Sequence, residues 1–117
     1  MKTVLIVDDE YLIAEILGFA LEDEGYAIEK ASNGQKALEV LKRVQVQLVI
    51  TDYMMPVLNG QELVRAMRAD PALRTLPVIL MSGAQASEGC PTLFAAVFDK
   101  PFDMGEMIAT VRGLLKG

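Results

Sequence analysis

Five residues that can do chemistry stand where apolar runs end. Asp8 and Asp9 follow Val4-Leu-Ile-Val7, and Asp52 follows Leu48-Val-Ile-Thr51. Ser82 follows Val78-Ile-Leu-Met81, and Lys100 comes two residues after Phe98. Alone, each has an ordinary reading: a turn-forming aspartate, a Ser-Gly turn, a solvated lysine. Gathered at one place they mean something else. Two unit charges about 4 Å apart repel by roughly 4 kcal/mol at an effective dielectric of 20, so clustered carboxylates need a cation to answer them. Oxygen ligands without imidazole or thiolate favour a hard ion such as Mg²⁺, which keeps several waters and room for a phosphate. A carboxylate beside a divalent ion, an ammonium and a hydroxyl donor can attack phosphorus and form an acyl phosphate.

Whether these residues meet depends on the elements that carry them. Lys2 to Val7 is a continuous apolar run of the kind buried on both faces of a sheet. From Glu10 to Glu24, Leu12/Ile13, Ile16/Leu17 and Ala20/Leu21 recur at helical spacing, and Gly25 ends the pattern. Tyr26 to Ala31 reads as a short strand, Ser32-Asn33-Gly34 as a turn and cap, and the next helix carries Ala37, Leu38, Leu41 and Val44. The third strand ends on Asp52; Met55-Pro56 forces an extended turn, and Asn59 with Glu62 forms a capping-box pattern opening a helix with Leu63, Ala66 and Met67 inward. Leu76 to Met81 and Leu93 to Phe98 are the fourth and fifth strands. Asp103 and Glu106 open a last helix with Met107, Ile108, Val111, Leu114 and Leu115 as its core stripe.

Strands alternate with helices throughout, which predicts a single α/β domain over residues 1–117 with a five-stranded parallel sheet covered on both faces. In such a doubly wound sheet the carboxyl ends of all strands lie along one edge, where ligands bind. That edge brings Asp8, Asp9, Asp52, Ser82 and Lys100 together.

Composition removes other function classes. Of 117 residues, 52% are hydrophobic, enough to fill one core. The formal net charge of -5, with no basic run, argues against direct nucleic-acid contact. Histidine is absent, which excludes Ser-His-Asp and Cys-His catalysis and most zinc sites. The single cysteine, Cys90, has no intrachain partner, no signal peptide opens the chain, and no apolar run approaches a membrane span; a cytoplasmic location is expected.

At these positions the chain resembles a receiver domain of the two-component response regulators. The resemblance rests on Asp8-Asp9, on Asp52-Tyr-Met-Met-Pro-Val-Leu-Asn-Gly60, on Ser82, and on Lys100-Pro101-Phe102, and it covers the whole chain. It implies a flavodoxin-like sheet in the order 2-1-3-4-5. It implies Asp52 as acceptor of a phosphoryl group from a sensor histidine kinase or a histidine phosphotransfer protein. It further implies Mg²⁺ held by Asp9, Asp52 and the backbone carbonyl of Met54, with Asp8 acting through water. Lys100 and Ser82 would contact the phosphoryl oxygens, and the Lys100-Pro101 bond would be cis. The implied role is a signalling switch that catalyses only its own phosphorylation and slow dephosphorylation, relayed to an output protein or domain that the sequence does not name.

Two departures stand out. Receivers usually carry an aromatic ring three residues before the lysine; here that residue is Val97, and strand alternation turns the neighbouring Phe98 to the opposite face. The segment between Ser82 and Lys100 is about a helical turn short and interrupted by Gly89 and Pro91, which predicts a short or irregular fourth helix there. An interaction module no longer regulated by phosphorylation is the alternative reading. An aspartyl-phosphate phosphohydrolase is disfavoured, because Asp8-Asp9-Glu10 does not supply the Asp-x-Asp of the haloacid-dehalogenase-like pattern.

Overall fold

The three central strands form because most of their residues are β-branched or long aliphatic and are buried on both sides, while the two edge strands are only partly covered. A computed structural model of the chain describes residues 2–53, 58–82 and 94–116. Its strands are β1 (Thr3–Val7), β2 (Ala27–Ala31), β3 (Leu48–Asp52), β4 (Val78–Ser82) and β5 (Ala96–Asp99), all parallel, in the order β2-β1-β3-β4-β5. The described helices are α1 (Tyr11–Asp23), α2 (Gly34–Arg43), α3 (Gly60–Ala69) and α4 (Met104–Leu115). This is the doubly wound sheet that the alternating pattern predicts. The irregular segment expected between β4 and β5, with Cys90, lies outside the described residues.

Alternation along the strands divides the core in two. Leu5, Val7, Val49, Val78 and Leu80 pack toward α2 and α3, with Ala37, Val40, Leu41, Leu63, Val64 and Met67. Val4, Ile6, Leu48, Ile50, Ile79 and Met81 pack toward α1 and α4, with Ala14, Leu17, Leu21, Met107, Val111 and Leu115. The helix ends follow local chemistry. α1 closes with Gly25 in the left-handed region (φ 96°), where the Tyr26 N–H bonds the Leu21 carbonyl and the Gly25 N–H bonds the Glu22 carbonyl. Asn33 accepts from the Lys36 N–H at 2.8 Å and Asp103 from the Glu106 N–H at 3.1 Å. At α3 the capping box is complete: Asn59 accepts from the Glu62 N–H at 2.8 Å, and Glu62 accepts from the Asn59 N–H at 3.0 Å.

Some expected positions shift. β5 begins at Ala96 rather than Leu93, because Phe94 turns into the α2/α3 core before the chain pairs with β4. Val44 is the extended residue after α2, and Val40 takes its core place. On α3, Val64 is buried and Ala66 only half-buried. Leu114 is exposed, because Met107, Val111 and Leu115 at intervals of four already face the sheet. On α1, Leu12 and Ile16 point outward with Tyr11 and Phe19, leaving an apolar row on the surface.

Candidate functional site

The register of the sheet builds the site. β1 and β3 are paired through Val7 and Thr51, so Asp8 and Asp52 are the next residues on neighbouring strands. Asp8 continues the alternation of Val4 and Ile6, and Asp52 that of Leu48 and Ile50, whose side chains belong to the α1/α4 side. Lys100 comes two residues after Phe98, which packs on that same side. Three residues distant in sequence therefore share one edge and one face. The Lys100 Nζ lies 3.2 Å from Asp52 Oδ2 and 3.3 Å from Asp8 Oδ2.

Glu10 was not singled out by the sequence reading, yet it joins them. Its Oε1 is 3.5 Å from Lys100 Nζ, and one carboxylate oxygen from each of Asp8, Glu10 and Asp52 falls within 4.8 Å of the others. The Glu10 N–H donates to Asp8 Oδ1 at 2.8 Å, which fixes how α1 leaves the strand. The only sequence signal was adjacency, since Glu10 completes the run Asp8-Asp9-Glu10. Asp9 is exposed and outside that three-acid group, although its charge is felt at Asp52. The backbone of Ser82 ends β4 opposite Asp99, one step past the Asp52–Met81 pair. The Met54 carbonyl and the Ser82 side chain lie outside what is described.

Three acids facing one ammonium leave the site short of positive charge. Burial pushes Asp8 up to about 6; its hydrogen bond from Glu10 and the charge of Lys100 oppose this, and the charge of Asp52 adds to it. Burial also raises Asp52 above the ordinary carboxylate range, against the pull of Lys100 and with the push of Asp9. Burial alone would lower Lys100, but Asp8 and Asp52 together outweigh it and hold the ammonium charged. An all-oxygen donor set with two reluctant carboxylates and a cation already drawn to their meeting point fits a hard divalent ion.

Glycines let the surrounding backbone close on the site. A Cβ on Gly60 would sit 2.6 Å from the Asp52 carbonyl oxygen, and the Gly60 N–H donates to the Tyr53 carbonyl at 3.0 Å. α3 thus starts against the backbone of the strand end that carries Asp52. On the other flank the Lys100-Pro101 peptide is cis, as the resemblance implied, and Phe98 meets Phe102 edge to face at 6.1 Å. Val97 pairs with Leu80 on the opposite side of the strand and is 44% exposed.

Comparison with known proteins agrees with this geometry. The family model described as the response regulator receiver domain matches residues 4–112. The phosphate regulon transcriptional regulatory protein PhoB of Pseudomonas aeruginosa is 32% identical over 98% of the chain. The response regulator MprA of Mycobacterium leprae is 34% identical over 97% of it. The DNA-binding dual master transcriptional regulator RpaA of Synechocystis is 30% identical over 99%. The chain spans about half the length of these relatives (52%, 50% and 50%). Among solved structures, the receiver domain of a signal transduction histidine kinase from Syntrophus aciditrophicus superposes with a TM-score of 0.88 at 31% identity, covering 100% of this chain and 92% of that one. The chemotaxis response regulator CheY4 of Vibrio cholerae gives 0.88 at 28% identity, covering 98% and 99%. With Asp8, Asp52 and Lys100 at one sheet edge and the family model matched over residues 4–112, this chain belongs to the response regulator receiver domain family.

Proposed function

We propose that this receiver is a phosphorylation-dependent switch whose acceptor is Asp52. The observation that carries the reading is the placement of the Lys100 ammonium between the buried Asp52 and Asp8 carboxylates, at 3.2 and 3.3 Å. A carboxylate oxygen of Asp52 attacks the phosphorus of a phosphohistidine, the P–N bond breaks, and the imidazole leaves with the bonding pair. Lys100 draws the transferred oxygens toward Asp52 and offsets their charge. Ser82, at the end of β4, supplies the hydroxyl that hydrogen-bonds them.

Asp9, Asp52 and the Met54 carbonyl would hold Mg²⁺, with Asp8 contributing through water. Such an ion would supply positive charge to offset the acids and the entering phosphoryl group. Slow hydrolysis of the acyl phosphate resets the switch. The donor is a sensor histidine kinase or a histidine phosphotransfer protein. A protein donor is supported by the apolar groove beside Lys100, lined by Ile13, Ile16, Phe102 and Met104, which continues into the exposed row on α1.

Incubation with acetyl phosphate and Mg²⁺, read by intact mass, tests the reading. One phosphoryl group is expected on the wild-type chain and none on Asp52→Asn. Equal labelling of the variant would overturn the assignment.

A further inference from the structure

Lys100 is more fully engaged than its proposed role allows. An ammonium has three N–H donors, and here three carboxylates surround it, from Asp52, Asp8 and Glu10. If Lys100 is to meet phosphoryl oxygens on Asp52, one of these contacts has to give way. The Asp8 side chain is fully buried at the end of β1, and the Asp52 contact is the one that becomes the acyl phosphate. The Glu10 side chain is 61% exposed and free to swing into water.

Glu10 also forgoes the bond its position offers. It is the N-cap residue of α1, yet its side chain caps no helix N–H. Its own N–H is instead tied to Asp8, and its carboxylate lies over Lys100. Helix capping does not account for a glutamate in this arrangement, whereas competition for Lys100 does.

We infer that Glu10 is a positioning residue that competes with the phosphoryl group for Lys100 and so restrains phosphorylation of the resting protein. The inference rests on the reading of Asp52 as acceptor and deepens it. Glu10 also places a negative charge at the mouth of a site that an anionic donor has to enter, so both effects act in one direction. Removing the charge while keeping the shape, as in Glu10→Gln, speeds phosphorylation. The worth of an exposed ion pair corresponds to about two- to fivefold in rate. The gain shrinks with added salt, because exposed charges are screened.

The test measures initial rates of labelling by acetyl phosphate at saturating Mg²⁺, at low and at high ionic strength. It compares the wild-type chain with Glu10→Gln and Glu10→Ser. Serine is a good N-cap and glutamine is not, so the two variants differ in helix stability but not in the charge they remove. The inference expects both to be faster than wild type by a similar factor at low salt, and the factor to fall toward one at high salt. Rates unchanged or slower in both variants, or following their stability, would overturn it. A wild-type chain that takes no label at Asp52 overturns the functional reading itself and the inference with it. Wild-type labelling without acceleration in the variants overturns the Glu10 assignment alone.

Discussion

Asp8→Asn should make the metal-free protein more stable at alkaline pH, even though it damages the site. Burial holds Asp8 at about 6 in the fold against an ordinary value of 3.8. The difference of about two units, at 1.36 kcal/mol each, is a penalty of about 3 kcal/mol for keeping that carboxylate ionised in place. Asparagine has nearly the same shape and keeps Oδ1 for the Glu10 N–H, but it turns an amide rather than a carboxylate toward Lys100. That loss is already contained in the shift, which is net of the pull of Lys100, so the expected gain stays at about 3 kcal/mol. Above about pH 6 the wild-type Asp8 is charged and carries the whole penalty. As pH falls from 6 toward 3.8, the folded chain binds a proton that the unfolded chain does not, so wild-type stability rises and the gap to the variant closes. Urea unfolding in EDTA, followed by circular dichroism at about pH 8 and about pH 4.5, measures both ends of the window. Added Mg²⁺ should reverse the order, because it stabilises the wild-type fold by mass action and the variant less. A variant no more stable than wild type at about pH 8, or one whose advantage persists unchanged at about pH 4.5, would refute the reasoning.

Further outcomes follow from the backbone around Asp52. Gly60→Ala places a methyl group against the Asp52 carbonyl oxygen, where an ideal Cβ is 2.6 Å away, and backbone cannot yield as a side-chain tip can. A loss of about 1–3 kcal/mol in urea unfolding is expected, with slower labelling by acetyl phosphate at saturating Mg²⁺ because the strand end moves. Asn59→Ala removes one half of the capping box of α3 and should cost about 1 kcal/mol. Faster amide hydrogen exchange should then appear in the first turn of α3 and not in α4.

Much of this architecture was legible in the sequence, because its strongest signals are local. Val4 to Val7 and Leu48 to Ile50 are buried on both faces, so they read as unbroken apolar runs, and the charged or polar residues after each run mark the carboxyl end of the strand. The caps at Asn33, Asn59 and Asp103 were readable for a similar reason, since a cap involves residues only three apart. Periodicity identified α1 as a helix but did not say how wide a stripe the sheet would cover. Ala14, Leu17 and Leu21 face the core while Leu12, Ile16 and Phe19 stay outside. The start of β5 was misplaced because Phe94 is as apolar as a strand residue while serving the opposite core. Glu10 was missed because its part depends on a distance between residues 90 positions apart, set by how Asp8 ties down the start of α1. Val97 was visible as a departure, and the structure turns it outward on the side away from Phe98 and Phe102.

The central claim is that the phosphoryl group is carried by the carboxylate at the end of β3. Borohydride reduces an acyl phosphate on aspartate to homoserine and leaves free carboxylates and phosphoserine untouched. The chain is labelled with acetyl phosphate and Mg²⁺, reduced, digested and sequenced by mass spectrometry. Homoserine at position 52, and at neither position 8 nor position 9, is the predicted result. Homoserine at one of those positions instead, or a stable phosphate on Ser82, would contradict the account.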